Sequence, residues 1–329
     1  MPSPIAADLR AQLTLPAICA PMMILSGPEL VTAACKAGLM GALPRHNART
    51  EAEFASWLAR IRADLDAHAA ACPGARIGPV AVNFVLSRPV AELLPEIDQC
   101  IAHGIRHFIT ALGNPAEMAH AVHQRGGLIF HDVTNLRFAR KAAEAGVDGL
   151  ICIGGGGGGH SGTLNPFAFI PKVRAFFDGV IVYAGCVTDG AAIRAAEVLG
   201  ADLAYVGTRF IATCEARAPE AYKQMLIAGG AEDLRYSPGI TGVNANWLAA
   251  SLERCGVDLE ALGAFSRDYA HLPPDIRPWR DVWSAGQGVE LIEDCPDAAS
   301  LVARLRREYV AACAVPDLAA SARQAEPAL

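Results

Sequence analysis

Residues Lys141 to Ile153, KAAEAGVDGLICI, decide the fold. An alanine-rich segment with helical spacing stops at Gly146. Val147 and Asp148 then lead into Gly149-Leu150-Ile151-Cys152-Ile153, a short apolar run of the kind that forms a strand buried on both faces. The same order of helix, glycine, aspartate and strand returns at Ala195–Gly200–Asp202, ahead of Leu203. Such alternation builds a parallel sheet wrapped by helices. Immediately after Ile153 come six glycines, Gly154 to Gly159, and then His160-Ser161-Gly162. A backbone without Cβ atoms can turn sharply and let a flat ligand lie against it, and histidine changes charge near neutral pH. The join reads as a binding loop that carries a base.

Working outward, eight strand candidates recur, each followed by a helical segment: Ala17–Ala20, Met40–Pro44, Pro79–Phe84, His107–Thr110, Leu128–His131, Gly149–Ile153, Val180–Ala184 and Leu203–Gly207. Eight units predict an α/β protein, a (β/α)8 TIM barrel. Helix starts are expected at Ser26-Gly27-Pro28-Glu29, with the serine as cap, and at Asn114-Pro115-Ala116-Glu117 and Thr188-Asp189-Gly190. Beyond about Gly230 the alternation fails among Pro238, Pro273, Pro274 and Pro278. The division expected is therefore a barrel over 1–229 and, over 230–329, a loop-rich and helical C-terminal cap ending in a helix, Ala298 to Ala312, that docks on the surface. Trp247, Trp279 and Trp283 are read as packing the cap onto the barrel in preference to direct ligand contact, and Glu215 and Lys223 as a solvated helix face in preference to a pair across two turns.

A chain of 329 residues, 52% hydrophobic and 19% charged, can bury a large core. Its formal charge of -6 is dispersed, which argues against nucleic acid and for a small-molecule ligand. Ten cysteines without metal-binding spacing, and an N-terminus without a signal-peptide core, predict reduced thiols in a cytoplasmic protein. No apolar stretch reaches the roughly 20 residues of a membrane helix, and a homo-oligomer is left open.

In such a barrel the chemistry lies on loops leaving the C-terminal strand ends, with phosphate commonly held after strands seven and eight. Those strands end in Ala184-Gly185-Cys186 and Val206-Gly207-Thr208, small residues with free amides. Strand one ends Ala20-Pro21-Met22, a stiff backbone followed by a soft side chain for an aromatic ring. Asn83, ending strand three, either contacts a heterocycle or ties down a loop.

Together Ala20-Pro21-Met22, Val82-Asn83-Phe84, the GGHxG run Gly158-Gly159-His160-Ser161-Gly162, Ala184-Gly185 with Asp189-Gly190, and Gly207-Thr208-Arg209-Phe210 resemble the nitronate monooxygenases, formerly 2-nitropropane dioxygenases. The resemblance runs from about Leu15 to Tyr309. It implies an FMN cofactor, with Ala20, Pro21 and Met22 along the ring, Asn83 in contact, Gly158 and Gly159 close by, and the phosphate at Gly185, Cys186, Gly207 and Thr208. It also implies His160 as catalytic base. Asp132 stands where many relatives carry a lysine, and Ile153, Gly156 and Cys186 also depart from the pattern; His131, if protonated, could replace the missing cation. Oxidation of alkyl nitronates by O2 to carbonyl compound and nitrite is the leading expectation. An FMN-dependent NAD(P)H:quinone or enoyl-thioester reductase is the second, and a flavin-binding protein without turnover the third.

Overall fold

The computed structural model describes residues 3–258 and 272–314. Parts of the expected cap segment, 259–271 and 315–329, lie outside the described residues. The strands are β1 (Ala17–Cys19), β2 (Met40–Pro44), β3 (Val80–Val85), β4 (His107–Ala111), β5 (Leu128–Val133), β6 (Gly149–Ile153), β7 (Gly159–His160), β8 (Val180–Ala184), β9 (Leu203–Val206), β10 (Leu234–Ser237) and β11 (Ala245–Leu248). All eight expected strands are present, and β2, β6 and β8 have the expected limits. They form a closed parallel barrel in the order β1-β2-β3-β4-β5-β6-β8-β9, shut by pairing of β1 with β9 through Ala17 with Ala204 and Cys19 with Val206. The protein is a (β/α)8 TIM barrel.

Alternation along each strand divides its side chains between two buried layers. Ile18, Ala42, Ala81, Ile109, Phe130, Ile151, Val182 and Leu203 fill the lumen, together with Ala6 and Leu9 from the N-terminal helix Pro4–Gln12 and Leu13 just after it. Cys19, Leu43, Val82, Phe108, Ile129, Leu150, Ile181 and Ala204 face the surrounding helices. Gly149 belongs to the lumen side; a Cβ there would lie 2.1 Å from the Phe130 ring, so the glycine makes room for the aromatic that fills the barrel. Burying each Leu, Ile or Phe contributes about 1.5–3 kcal/mol.

The helix starts follow local chemistry with one correction. Asp189 caps the helix Gly190–Leu199 by accepting from Ala192 N at 2.7 Å, and Gly200, at φ 108°, ends it. Asn114 accepts from Ala116 N at 3.1 Å. Ser26, however, is not the cap of Pro28–Lys36: Gly27 holds that place without a side-chain bond. The Ser26 hydroxyl instead accepts from Met22 N at 3.0 Å, across the loop that it shares with β1. Proline at the first helical position already suits the helix start, which frees the serine for the loop.

The helix Ala298–Cys313 places Leu301, Val302 and Leu305 in the same core as the barrel helices. At Gly190 an added Cβ would lie 2.2 Å from both Leu305 O and Tyr309 N, and Gly190 N donates to Glu308 Oε2 at 2.9 Å. Glu215 and Lys223 do not form a solvated face. Both Glu215 carboxylate oxygens accept from Ala298 N at 3.0 Å, and the buried Lys223 donates to Thr213 O at 2.7 Å. An unmatched helix amide and an uncapped carbonyl were stronger claims on these side chains than water.

Between β9 and the final helix, β10 and β11 pair antiparallel, and β11 pairs antiparallel with β7, which belongs to the glycine-rich loop above β6. Trp247 is fully buried among Ile240, Leu252, Val257 and Val282. Trp283 stacks on Tyr222 with centroids 4.7 Å apart. Trp283 thus packs the cap onto the barrel as expected, whereas Trp247 belongs to a core built from cap residues, and Trp279 lines a cavity. Among the described residues no helix is long and apolar enough to cross a membrane.

Candidate active site

The C-terminal ends of the barrel strands surround a cavity of about 1330 Å³. Ala20, Pro21, Met22, Asn83, Gly158, Gly159, His160, Gly185, Cys186, Gly207 and Thr208 all line it. Residues drawn from five strand ends are thus brought to one place, with roles that geometry narrows.

The loop after β1 is held by a residue that sequence reasoning missed. Asn47 donates to Met22 O at 3.0 Å and Ser26 O at 2.8 Å, and accepts from Ile24 N at 2.7 Å. These bonds keep Ile24 at φ 70°, an unusual conformation for a β-branched residue. Asn83 points to the lumen side, alternating with Ala81. Its amide makes only a long contact, 3.5 Å to Ile109 O, and so keeps hydrogen-bonding capacity for a ligand.

The ends of β8 and β9 suit an anion. Gly185 has φ 136°, and a Cβ would meet the Tyr183 hydroxyl at 2.8 Å; Cys186 follows at φ 57°. After Gly207 the short helix Thr208–Ile211 begins, and its first amides have no intrahelical acceptor. The Thr208 hydroxyl accepts from Gly286 N at 2.9 Å. Arg209 turns away from the cavity, pairing with Asp294 at 2.7 Å. Burial pushes the thiols of Cys152 and Cys186 up, so neither is a ready thiolate.

The glycine run is folded against the cap. Gln287 N donates to Gly156 O at 2.9 Å, and buried Asn246 donates to Gly157 O at 2.7 Å. A Cβ on Gly158 would lie 2.9 Å from Gly286 N and from Thr208 Oγ1. His160 then enters β7 opposite Ala245. Its Nε2 lies 2.9 Å from Thr241 Oγ1, and that hydroxyl donates to Val243 O at 3.1 Å. When the threonine proton goes to Val243 O, Nε2 of a neutral ring donates to the hydroxyl and the lone pair lies on Nδ1, the tautomer assigned from the hydrogen-bond network. Trp279 meets the imidazole edge-on, with centroids 5.3 Å apart and planes at 80°, and lines the cavity rather than only packing the cap. Burial holds the imidazole below its ordinary pKa, so it is a neutral base at neutral pH.

The floor is uncharged at the position of His131. That ring bonds Thr110 Oγ1 through Nδ1 at 2.8 Å, and burial pushes it down to about 4. The expectation that a protonated His131 supplies a cation is therefore corrected: desolvation keeps it neutral. Asp132 Oδ1, Tyr205 OH and Ser161 Oγ are buried without a hydrogen-bond partner among the described residues. Buried orphans of this kind call for a ligand or water.

A closed barrel with glycine turns at β8 and β9 and a neutral imidazole above its mouth leaves room for a flat ligand and free amides for an anion. Residues 8–257 match the family model described as nitronate monooxygenase, and the chain belongs to that family. It is 27% identical to a nitronate monooxygenase of Paraburkholderia phytofirmans, over 89% of this chain and 92% of the relative. It is 28% identical to a Rhodococcus jostii (3aS,4S,5R,7aS)-5-hydroxy-7a-methyl-1-oxo-octahydro-1H-indene-4-carboxyl-CoA dehydrogenase, over 66% of this chain and 58% of that one. The solved nitroalkane oxidase of Streptomyces ansochromogenes shares the fold at TM-score 0.75 and 24% identity, covering 93% of this chain and 98% of that one. FabK from Thermotoga maritima shares it at TM-score 0.70 and 21% identity, covering 98% and 99%. The protein is an oxidoreductase, and its family implies a flavin cofactor.

Proposed function

We propose that the chain binds FMN and oxidises alkyl nitronates with O2 to a carbonyl compound and nitrite. The observation that carries this reading is the placement of His160, half-buried at the cavity with Nε2 2.9 Å from Thr241 Oγ1 and its pKa held down by desolvation; with the Thr241 proton on Val243 O, Nδ1 is the acceptor. A proton next to a nitro group can pass to such an atom. FMN, when bound, supplies the path for electrons from substrate to O2. The cavity fits that group: glycine turns at Gly185 and Gly207 leave amides for a phosphate, and Ala20, Pro21 and Met22 offer a flat wall for the ring. Asn83 offers its amide to the ring, and Gly158 and Gly159 let it approach the backbone. Thr208 completes the phosphate end beside Cys186. The edge-on Trp279 restricts water around the imidazole.

A second reading, an NAD(P)H-dependent reductase acting on an enoyl thioester or quinone, is favoured by cavity size. About 1330 Å³ exceeds the usual range of about 300–1,000 Å³, and the space runs outward past Leu112 to Phe138 and Lys141. One relative is also named for a carboxyl-CoA compound. Anaerobic spectra of the flavin-loaded protein separate the two. Bleaching by propionate 3-nitronate and not by NADH or NADPH supports the monooxygenase; bleaching by a nicotinamide alone transfers the assignment to the reductase.

A further inference from the structure

Two orphaned polar groups share the cavity floor. Asp132 lies on β5 and alternates with Phe130, so it is on the lumen side; Tyr205 lies on β9 and belongs to the lumen cluster. Both line the cavity. Asp132 Oδ1 and the Tyr205 hydroxyl are buried, and neither has a hydrogen-bond partner among the described residues. Burial pushes the Tyr205 phenol well up, and the Asp132 charge adds to that push.

Among the described residues the barrel strands beside Asp132 carry no counter-charge, and Lys141 is a basic residue farther out in the same cavity. Beside it on the lumen side, β4 carries Ile109 and β6 carries Ile151 and Ile153; across the barrel, β1 presents Ala20 and β8 presents Ala184. β3 presents the neutral Asn83. His107, two positions below Ile109, is kept neutral by burial, and His131 is engaged with Thr110. Burial alone pushes the Asp132 carboxyl up to about 7. A carboxyl and a phenol that lack partners can together donate and accept, which matches the carbonyl and imide N–H edge of a flavin ring.

We propose that the Asp132 carboxyl and the Tyr205 hydroxyl meet the polar edge of the bound flavin, and that Asp132 thereby sets how the flavin's midpoint potential varies with pH. The inference rests on FMN occupying this cavity. Negative charge placed on the ring raises the affinity of Asp132 for a proton, and by reciprocity an ionised Asp132 disfavours reduction. In a reductive titration dithionite supplies the electrons, and Asp132 takes up a proton from solvent as they arrive.

The test is the midpoint potential of the flavin-loaded protein from about pH 5.5 to about pH 9, for wild type, Asp132→Asn and Tyr205→Phe, with FMN affinity measured by fluorescence quenching. Wild type and Asp132→Asn are expected to coincide on the acid side. On the alkaline side Asp132→Asn should lie higher and show the shallower dependence. Tyr205→Phe should retain the steep wild-type segment while weakening FMN binding about three- to tenfold, as one lost hydrogen bond would. Parallel curves for wild type and Asp132→Asn, or unchanged FMN affinity in Tyr205→Phe, overturn the inference. Wild-type protein that takes up no FMN overturns the cofactor reading beneath it.

Discussion

At the scale of single residues, His160 joins a half-buried ring to a hydrogen bond with Thr241. His160→Ala should lower kcat/KM for a neutral nitroalkane by about 10²–10⁴-fold, the usual worth of a general base, and affect a preformed nitronate far less; steady-state oxygen consumption on both substrates checks this. Because burial depresses the imidazole pKa, the basic form survives below the ordinary histidine value of about 6.5. The acid limb of kcat/KM for nitroalkane should therefore have its midpoint below about pH 6.5. Trp279→Ala, which lets water reach the ring, should move that midpoint upward. Asp132 gives a stability prediction of opposite sign. Its folded value of about 7 lies above the unfolded value of 3.8, so the folded state binds the extra proton and stability is lost as pH rises through that window. In cofactor-free protein, Asp132→Asn should gain on wild type by about 2 kcal/mol between about pH 4 and about pH 8.5, a figure discounted for cavity water. Thermal melts at the two pH values measure it. Much of this site was legible because glycine, proline and histidine act through their own backbone or ring chemistry. Asn47 and Thr241 were not, since each is an ordinary polar loop residue whose importance comes from a partner brought close only by folding.

Among elements, short apolar strands followed by amphipathic helices announce themselves, because a strand buried on both faces must be apolar throughout. β7 could not be read this way. It is two residues long, begins inside the glycine run, and exists only because Ala245 and Asn246 come back to pair with it. The role of Ser26 was misjudged for a related reason: the capping rule is local, whereas the loop after β1 offered the hydroxyl a better-placed amide. The close crossing at Gly190 was also invisible, since its partner is over a hundred residues away. Gly190→Ala should push the helix Gly190–Leu199 off Ala298–Cys313 and cost about 1–3 kcal/mol, read as a lower midpoint in urea with an unchanged slope. FMN binding by that variant should persist, because the contact lies outside the cavity.

For the whole molecule, ligand and fold are linked. FMN bound to the folded protein alone should stabilise it by about 2.7 kcal/mol at a hundredfold excess over Kd, visible as a concentration-dependent rise in Tm, and Gly158→Ala should blunt that rise by displacing the loop from Gly286 and Thr208. The barrel was predictable as a whole because eight repeated units leave few alternatives. The path of the chain between Gly230 and the final helix was not, since that stretch lacks periodicity. The final helix was legible from its apolar spacing, but its return to the main core through Leu301, Val302 and Leu305 was not. That return matters for how the protein is made. Leu301, Val302 and Leu305 complete a core whose other members lie as early as Leu15. During vectorial synthesis, the strands can emerge and pair while this flank still lacks its cover. Apolar surface on the helices Pro28–Lys36 and Gly190–Leu199 then waits through the translation of about a hundred further residues. Until the Ala298–Cys313 segment leaves the ribosome, that flank of the nascent chain presents apolar surface of the kind that makes partly folded chains prone to stick together.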